Sequence, residues 1–422
     1  IINRLIKPSS ELSTIDWVDK YYSEKLDLKL HHFYRTLDYL ISKKEIIESE
    51  IFQDLKKNLK LDTSKTFYDL TSTYFEGQRC KIAMFGYSRD HRRDRKQIVV
   101  GLAMCDGIPV LHEVFKGNTV DKSTFSSIEQ IVRERLELKK TIFLADGGLM
   151  TEKNISYIES VSQGYILACP RRNNKNAEKW LTKDIESNDN QYAKEIHKEI
   201  FKDGNEEKFR RYLLCLDNNT RKIRLEELEK IKEGIKEKLS GLQQKYNQSQ
   251  LKKKGKKITK ESLILQANKI LGKNRRIFSV KYSKGLEFSI KKDAWNYEKK
   301  IAGKFLLVTN TDTQASNAMK EYKQLQNVEN AFDELKNFLE VRPIYHWKTS
   351  RVKAHVFVSV LSYLIESIIE KTCSQSARSV INELQTIKVA NIESGKKTIR
   401  KISEISDENL RNLKELNIKI PY

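Results

Sequence analysis

The feature that most constrains the fold of this chain is a series of short β-rich runs that follows a helical N-terminal region. Residues 66–75, 96–105 and 108–115 are rich in β-branched and aromatic residues, and Asp106-Gly107 joins the last two runs. An Asp-Gly pair between two such runs is a strong signal for a β-hairpin. The sequence therefore predicts three antiparallel strands.

The pattern after the third strand alternates between helix and strand. A helix is predicted over about 121–138, a strand over 141–146, a second helix over about 151–161 and another strand over 164–170. The order βββαβαβ is that of the ribonuclease H-like core, a mixed sheet flanked by helices. We therefore predict a mixed α/β (α+β) fold.

The remaining sequence is assigned around that core. Apolar residues recur at three- and four-residue steps in 225–246 and 258–271, which predicts a helical hairpin. A lysine-rich run at 251–257 joins the two helices, and either a solvated loop or a contact with the DNA backbone explains it. The predicted regions are a helical N-terminal region (1–62), the first part of the core (63–170), an α+β insertion (171–304), the second part of the core (305–371, with one long helix over about 313–340) and a helical C-terminal region (372–422).

The charge of the chain favours a polyanionic partner. It has 79 Lys and Arg against 57 Asp and Glu, a net charge of +22. Cations that displace counterions from a phosphate backbone bind nucleic acid, which we expect before a membrane surface, although biased codon usage also yields lysine-rich chains.

Cysteine usage and hydropathy indicate the compartment. The five cysteines are far apart and include no CxxC pair, which fits a reducing cytoplasm. The apolar stretch 354–369 is shorter than the roughly 20 residues that span a bilayer, so no membrane helix is predicted. The chain starts at Ile1 without a secretory signal pattern, which is consistent with a truncated N-terminus.

Three acidic residues stand out by their context. Asp69 lies inside an apolar and aromatic strand, Asp146 ends another strand, and Glu329 lies on the predicted helix over 313–340. A carboxylate buried in a central strand needs a cation beside it, and hard divalent ions suit oxygen ligands. A strand-end Asp before Gly-Gly is also typical of a plain turn.

The helix around Glu329 has a regular polar stripe. Tyr322, Glu329 and Lys336 are seven residues apart, so one face of a continuous helix would carry all three. An apolar stripe that includes Leu325 and Phe332 runs beside it and would pack on the sheet. The same spacing is also found in an ordinary amphipathic helix with polar edges.

Five segments, in this order, resemble the DDE transposases of bacterial insertion sequences, in particular the large group with a Tyr-x2-Arg-x3-Glu-x6-Lys signature and a long insertion before the catalytic Glu. They are YDLTSTYFEG, GYSRDHRRDRKQIVVGLAM, FKGNTVDKSTF, FLADGGLMTEKN and YKQLQNVENAFDELKNFLEVRPIYHWKTSRVKAHVFVSVLSYLI. The resemblance covers about 64–170 and 304–365. Asp69 and Asp146 are 77 residues apart, and Asp146 and Glu329 are 183 apart.

The resemblance implies an enzyme that cleaves DNA at terminal inverted repeats and joins the 3′-hydroxyl ends to target DNA. Asp69, Asp146 and Glu329 match the catalytic, metal-binding acids, which would hold two Mg²⁺ ions, or Mn²⁺. Tyr322 and Lys336 match the positions that hold the transposon end. Leu325 replaces the signature arginine, which leaves hairpin formation open. Double-stranded DNA, a homodimeric DNA complex and the nucleoid of a bacterial cytoplasm are the implied partners and location.

Other residues are candidates for DNA contact or chemistry. The segment of Arg89, Arg92 and Arg93 reads as a loop that contacts the DNA backbone, although its Asp90 and Asp94 could compete with Asp69 as ligands. Trp347, Lys348 and Arg351, beside His346, combine an aromatic ring with cations as a DNA groove requires, but a plain loop explains them equally well.

The remaining motifs narrow the alternatives. His112 and His355 look isolated and structural, no His/Cys cluster has metal-ligand spacing, and no phosphate-binding Gly-x4-Gly-Lys motif is present. The alternative functions are a decayed or domesticated DNA-binding protein and a ribonuclease H-like nuclease.

Overall fold

The chain forms two compact units in the computed structural model. One comprises Ile1–Leu167 and Glu321–Tyr422, and the other comprises Ala168–Lys320. The structure describes residues 1–21, 26–77, 79–138, 140–149, 151–170, 175–203, 206–252, 255–283, 285–394 and 397–420.

The elements of the described chain are numbered from the N-terminus. The helices are α1 (Ile2–Ile6), α2 (Glu11–Tyr21), α3 (Leu30–Ser42), α4 (Lys44–Asn58), α5 (Phe125–Arg135), α6 (Glu152–Ser160), α7 (Lys175–Leu181), α8 (Asn218–Leu251), α9 (Lys260–Leu271), α10 (Lys292–Ile301), α11 (Ala315–Lys323), α12 (Gln326–Asn337), α13 (Thr349–Cys373), α14 (Ala377–Leu384) and α15 (Asp407–Glu415). The strands are β1 (Lys65–Tyr74), β2 (Gln97–Cys105), β3 (Ile108–Lys116), β4 (Ile142–Ala145), β5 (Gly164–Ala168), β6 (Gln191–Asp203), β7 (Glu206–Asp217), β8 (Phe278–Lys281), β9 (Glu287–Ile290), β10 (Lys304–Thr309), β11 (Val389–Ser394) and β12 (Lys397–Ile402).

The first unit is built on a mixed sheet with the strand order β3-β2-β1-β4-β5. β1, β2 and β3 are antiparallel neighbours, whereas β4 runs parallel to β1 and to β5. The predicted order of strands and helices from residue 66 to 170 is confirmed. Every residue of β2 is buried, as expected of a strand that is covered on both faces.

Two helices from the C-terminal half pack on this sheet. α12 packs on β1 and β2, and α13 packs on β3 and α3. α13 is long and apolar enough to cross a membrane by length and composition, and it exceeds the predicted apolar stretch of 354–369. In the structure 72% of its most apolar window is buried, as is typical of a core helix.

The prediction of one continuous helix over about 313–340 is wrong. α11 ends at Lys323 and α12 begins at Gln326. Backbone hydrogen bonds at the junction join residues three apart, from the Leu325 N–H to the Tyr322 carbonyl and from the Val328 N–H to the Leu325 carbonyl. Such bonds tighten the helical turn. Tyr322 therefore lies on α11, whereas Glu329 and Lys336 lie on α12.

The C-terminal region 372–422 is not purely helical. β11 and β12 pair as an antiparallel hairpin between α14 and α15. β-branched residues recur on both strands, among them Val389, Ile392, Ile399 and Ile402, and such residues favour strands. The sequence analysis predicted this region as helical from a weak helical period, and it therefore missed the hairpin.

The second unit contains the strands β6, β7 and β10 and an apolar core of its own. β7 is antiparallel to both β6 and β10, and β6 was not predicted. The predicted helices are present as α8 and α9, which pack together through buried residues that include Leu239, Leu242 and Leu263. In the lysine-rich run at 251–257, Lys253 and Lys254 lie outside the described residues, and Lys256 and Lys257 are exposed.

Candidate active site

Asp69, Asp146 and Glu329 line one cavity of about 380 Å³ in the first unit. Asp69 lies in β1, Asp146 follows β4 directly, and Glu329 lies in the first turn of α12. The parallel register pairs Phe67 of β1 with Leu144 of β4. Continuing that register by two residues brings Asp69 alongside Asp146, and α12 packs on β1 with Glu329 at the cavity.

The pKa of Asp69 reflects its burial first and the charges around it second. Burial raises the pKa of Asp69 to about 7, and the nearby charges of Asp146 and Glu329 add to this rise against the opposing charge of Arg89. The cavity therefore favours a proton or another cation at Asp69 near neutral pH.

Asp146 has two roles at once. The Gly147 N–H donates to its Oδ1 at 2.6 Å, and the Leu149 N–H donates to its carbonyl oxygen, so Asp146 does make the turn that its Gly-Gly sequence predicts. Its side chain is nevertheless exposed to the cavity, where the Tyr322 hydroxyl donates to Oδ1 at 3.3 Å. Burial raises the pKa of Tyr322 above its ordinary value, which keeps the hydroxyl protonated as a donor.

The rim of the cavity consists of ion pairs. Arg89 donates to Asp121 Oδ2 at 2.7 Å, and both residues line the cavity. Asp121 was not among the residues that the sequence predicted for the site. Its position in a polar loop after β3, at the edge where Asp69 and Asp146 lie, was the available signal for a fourth acid.

Lys336 also lies at this rim, and its ammonium group is engaged within the protein. It donates to Thr71 Oγ1 at 2.7 Å and to Asp90 Oδ1 at 2.9 Å. Arg342 pairs with the same Asp90 oxygen at 3.1 Å. Asp90 is thus a buried partner of two cations, whereas no cation in the described part of the chain forms an ion pair with Asp69.

The other predicted DNA contacts divide into engaged and exposed side chains. Arg92 forms two hydrogen bonds with Asp94, at 2.9 and 2.8 Å, and Arg351 is held by Asp38 at 2.9 Å. Arg93, Trp347 and Lys348 are exposed. Their predicted role at DNA stays a prediction.

Of the two histidines that the sequence analysis describes as isolated and structural, His112 agrees with that prediction and His355 does not. His112 is buried and hydrogen-bonded to Glu48 at 2.8 Å, as expected of a structural residue. His355 is not isolated, because it lies beside His346 and Glu11. Glu11 is more than 300 residues away in the sequence, so a search by local spacing could not find this cluster.

Comparison with known proteins gives a likeness in structure and none in sequence. No family model matches the chain, and no curated protein matches it. Among solved structures, the chain is similar to a piggyBac transposase in a synaptic complex with hairpin DNA. The TM-score is 0.40 and the identity 9%, over 90% of this chain and 76% of that one. A likeness at this level does not fix the family of the chain.

Proposed function

We propose that the protein is a DDE-type DNA transposase with a ribonuclease H-like core. It would cleave DNA at the terminal inverted repeats of an insertion sequence and join the 3′-hydroxyl ends to target DNA. The observation that carries the proposal is the meeting of Asp69, Asp146 and Glu329 at one cavity despite their separation in sequence. The strand order β3-β2-β1-β4-β5 supports it, since this order places Asp69 in β1 and Asp146 directly after the neighbouring parallel strand β4.

The donor set of the cavity fits hard divalent cations. Its acids supply carboxylate oxygens, the ligands that Mg²⁺ and Mn²⁺ accept, and the pKa of Asp69 is raised first by burial and then by the charges of Asp146 and Glu329. Asp69, Asp146 and Glu329 would hold two Mg²⁺ ions. Bound there, the ions would supply activation of a water or 3′-hydroxyl and stabilisation of the leaving oxygen.

The surrounding side chains would hold and orient the substrate. The Tyr322 hydroxyl orients Asp146 through its hydrogen bond. Arg89 and Lys336 line the same cavity and carry positive charge next to the path of a phosphodiester. Leu325 is buried and supplies no polar group there, so hairpin chemistry that needs the signature arginine is not part of this proposal.

The proposal extends to partners and location. Two DNA ends must be cut and joined together, which calls for two active sites and therefore a homodimer on DNA. We place this complex at the nucleoid of a bacterial cytoplasm. The net charge of +22 suits binding to double-stranded DNA.

The test is cleavage of a labelled duplex that carries the terminal repeats of the element, with and without Mg²⁺. We expect Mg²⁺-dependent nicking at the repeat boundary that falls at least about 10³-fold in Asp69→Asn and in Glu329→Gln. Asp94→Asn is the matched control, because Asp94 is an exposed acid of the adjacent loop, paired with Arg92. It should cleave like the wild type.

Three other outcomes would contradict the proposal. Specific binding of the repeats without nicking would identify a DNA-binding remnant. Cleavage without preference for the repeats or without strand transfer would identify a nuclease. Loss of activity in Asp94→Asn with full activity in Asp69→Asn would move the site to the loop around Asp90 and Asp94.

A further inference from the structure

A cluster of metal-ligating side chains lies in the first unit, on elements other than those that carry the three acids. Glu11 at the start of α2, His346 in the segment before α13 and His355 within α13 each place a ligand atom within 4.8 Å of the others. Glu11 Oε1 is 3.0 Å from His346 Nε2 and 3.5 Å from His355 Nδ1. The side chains are only 19%, 9% and 7% exposed, respectively.

The hydrogen bond on the far side of His355 fixes which nitrogen faces the cluster. His355 Nε2 lies 3.1 Å from the carbonyl oxygen of Val341. A carbonyl oxygen can only accept, so Nε2 carries the proton, and in the neutral imidazole Nδ1 is then a bare lone pair. That lone pair faces Glu11 Oε1, so two acceptors face each other in a buried place.

A metal ion placed between His355 Nδ1 and Glu11 Oε1 would accept a lone pair from each of them. A histidine ligand that donates its other ring N–H to a backbone carbonyl is also the usual outer-shell arrangement of protein metal sites.

We infer that Glu11, His346 and His355 bind one zinc ion. Zinc is bound at about 2.0 to 2.2 Å by imidazole nitrogen and carboxylate oxygen in a tetrahedron, whose ligand atoms are then about 3.4 Å apart. The two separations from Glu11 Oε1, 3.0 and 3.5 Å, match that spacing. The imidazole pair selects zinc over magnesium or calcium, which prefer an all-oxygen shell.

The surroundings allow a water as fourth ligand and set the role of the site. Glu11, His346 and His355 line a cavity of about 620 Å³ that also exposes Tyr345 and Trp347. Arg4 lies in the same cavity, but its guanidinium donates to the carbonyl oxygens of Leu339 and Glu340. The ion would fasten α2 to α13 and to the segment before it, so it acts as a clamp in the N-terminal part of the chain, separate from the proposed phosphodiester chemistry.

Cobalt substitution tests this inference without any assay of DNA cleavage. The full-length protein is stripped with a chelator and titrated with Co²⁺, whose tetrahedral complexes absorb visible light much more strongly than octahedral ones. We expect one equivalent with tetrahedral absorption that Zn²⁺ displaces, together with a rise in Tm on adding Zn²⁺. Co²⁺ held by Asp69, Asp146 and Glu329 would have oxygen ligands only and would absorb weakly.

The variants separate this site from other histidines and from misfolding. His346→Gln and the isosteric Glu11→Gln should each weaken Co²⁺ binding at least about tenfold and abolish the Zn²⁺-dependent rise in Tm. His197→Gln is the matched control, since His197 pairs with Glu199 at 3.5 Å but has no second histidine beside it among the described residues. No stoichiometric tetrahedral binding in the wild type, or binding that survives in Glu11→Gln, would overturn the inference.

Discussion

Asp69 links the charge of the cavity to the stability of the protein. Its pKa rises from 3.8 to about 7 because burial and then the neighbouring acids disfavour its charged form. The unfolded chain therefore ionises Asp69 at lower pH than the folded one. Without metal, the free energy of unfolding should fall as pH rises from about 4 to about 7, by up to about 4 kcal/mol at about 1.4 kcal/mol per pKa unit.

Urea denaturation at pH 5 and pH 8 measures this loss. Asp69→Asn should exceed the wild type in stability by about 4 kcal/mol at pH 8 and by only about 2 kcal/mol at pH 5. Mg²⁺ should restore the stability of the wild type at pH 8, where Asp69 is ionised, and not at pH 5. Equal stability of the two proteins at both values would show that Asp69 is not in an acidic, desolvated site.

Lys336 forms a buried ion pair within the protein. The family resemblance implied only that Lys336 holds the transposon end. Lys336 and Arg342 share Asp90, which is 7% exposed in its side chain. Breaking a buried ion pair by removing one partner typically costs about 3 to 5 kcal/mol. We expect Lys336→Met to lose about 3 kcal/mol, and Lys336→Met with Asp90→Asn to regain part of that loss, as measured by urea denaturation in a double-mutant cycle. If the losses in free energy of unfolding from Lys336→Met and Asp90→Asn were additive, the Lys336–Asp90 pair would not stabilise the fold. Contact with DNA would then remain as the role of Lys336.

At the scale of elements, the break between α11 and α12 depends on an apolar residue. Leu325 is 6% exposed at the N-cap of α12, where the resembling family carries arginine. A guanidinium there would lose its hydration without a prepared partner. Leu325→Arg should destabilise the protein by more than about 2 kcal/mol, and Leu325→Met by less than about 1.5 kcal/mol. Comparison of the Tm values of the two variants shows whether the turn between α11 and α12 tolerates the arginine that the resembling family carries at this position.

α13 carries a buried acid, Glu366, which destabilises the folded protein more at high pH than at low pH. Burial, and then the charge of Glu334, raises the pKa of Glu366 from 4.5 to about 8. Because the unfolded state releases this proton first, the wild type loses stability as pH rises between those two values. Glu366→Gln should gain on the order of 2 kcal/mol at pH 8 and little at pH 4.5. The exposed Glu404→Gln should show no such difference between denaturation curves at the two pH values.

The elements also show what the sequence could predict and why the rest escaped it. Alternation and the Asp106-Gly107 turn are local signals, so strands β1 to β5 and the positions of Asp69 and Asp146 were predictable. The break after Lys323 was not, because the apolar period continues through Leu325 and Val328. Asp121, the pairing of Lys336 with Asp90, and the Glu11 cluster depend on contacts between residues far apart in the sequence.

At the scale of the whole molecule, the net charge of +22 makes a quantitative prediction about DNA. Each lysine or arginine that neutralises a phosphate releases a counterion, so the logarithm of the affinity falls linearly with the logarithm of salt concentration. With about 6 to 10 such contacts, affinity for duplex DNA should fall about 10³- to 10⁵-fold between 50 and 200 mM salt. Fluorescence anisotropy over that range gives the slope.

The slope of log affinity against log salt concentration also distinguishes contacts made by particular residues from the effect of the total charge. Arg93 and Lys348 are exposed members of the predicted DNA surface, whereas Lys230 and Lys238 are exposed on α8 of the second unit. The double variant Arg93→Gln and Lys348→Gln should reduce the slope by about 2, since each phosphate contact contributes about 1. Lys230→Gln and Lys238→Gln remove the same charge and should leave the slope unchanged. Equal changes in both pairs would mean that DNA responds to the total charge and that the predicted surface has no special role.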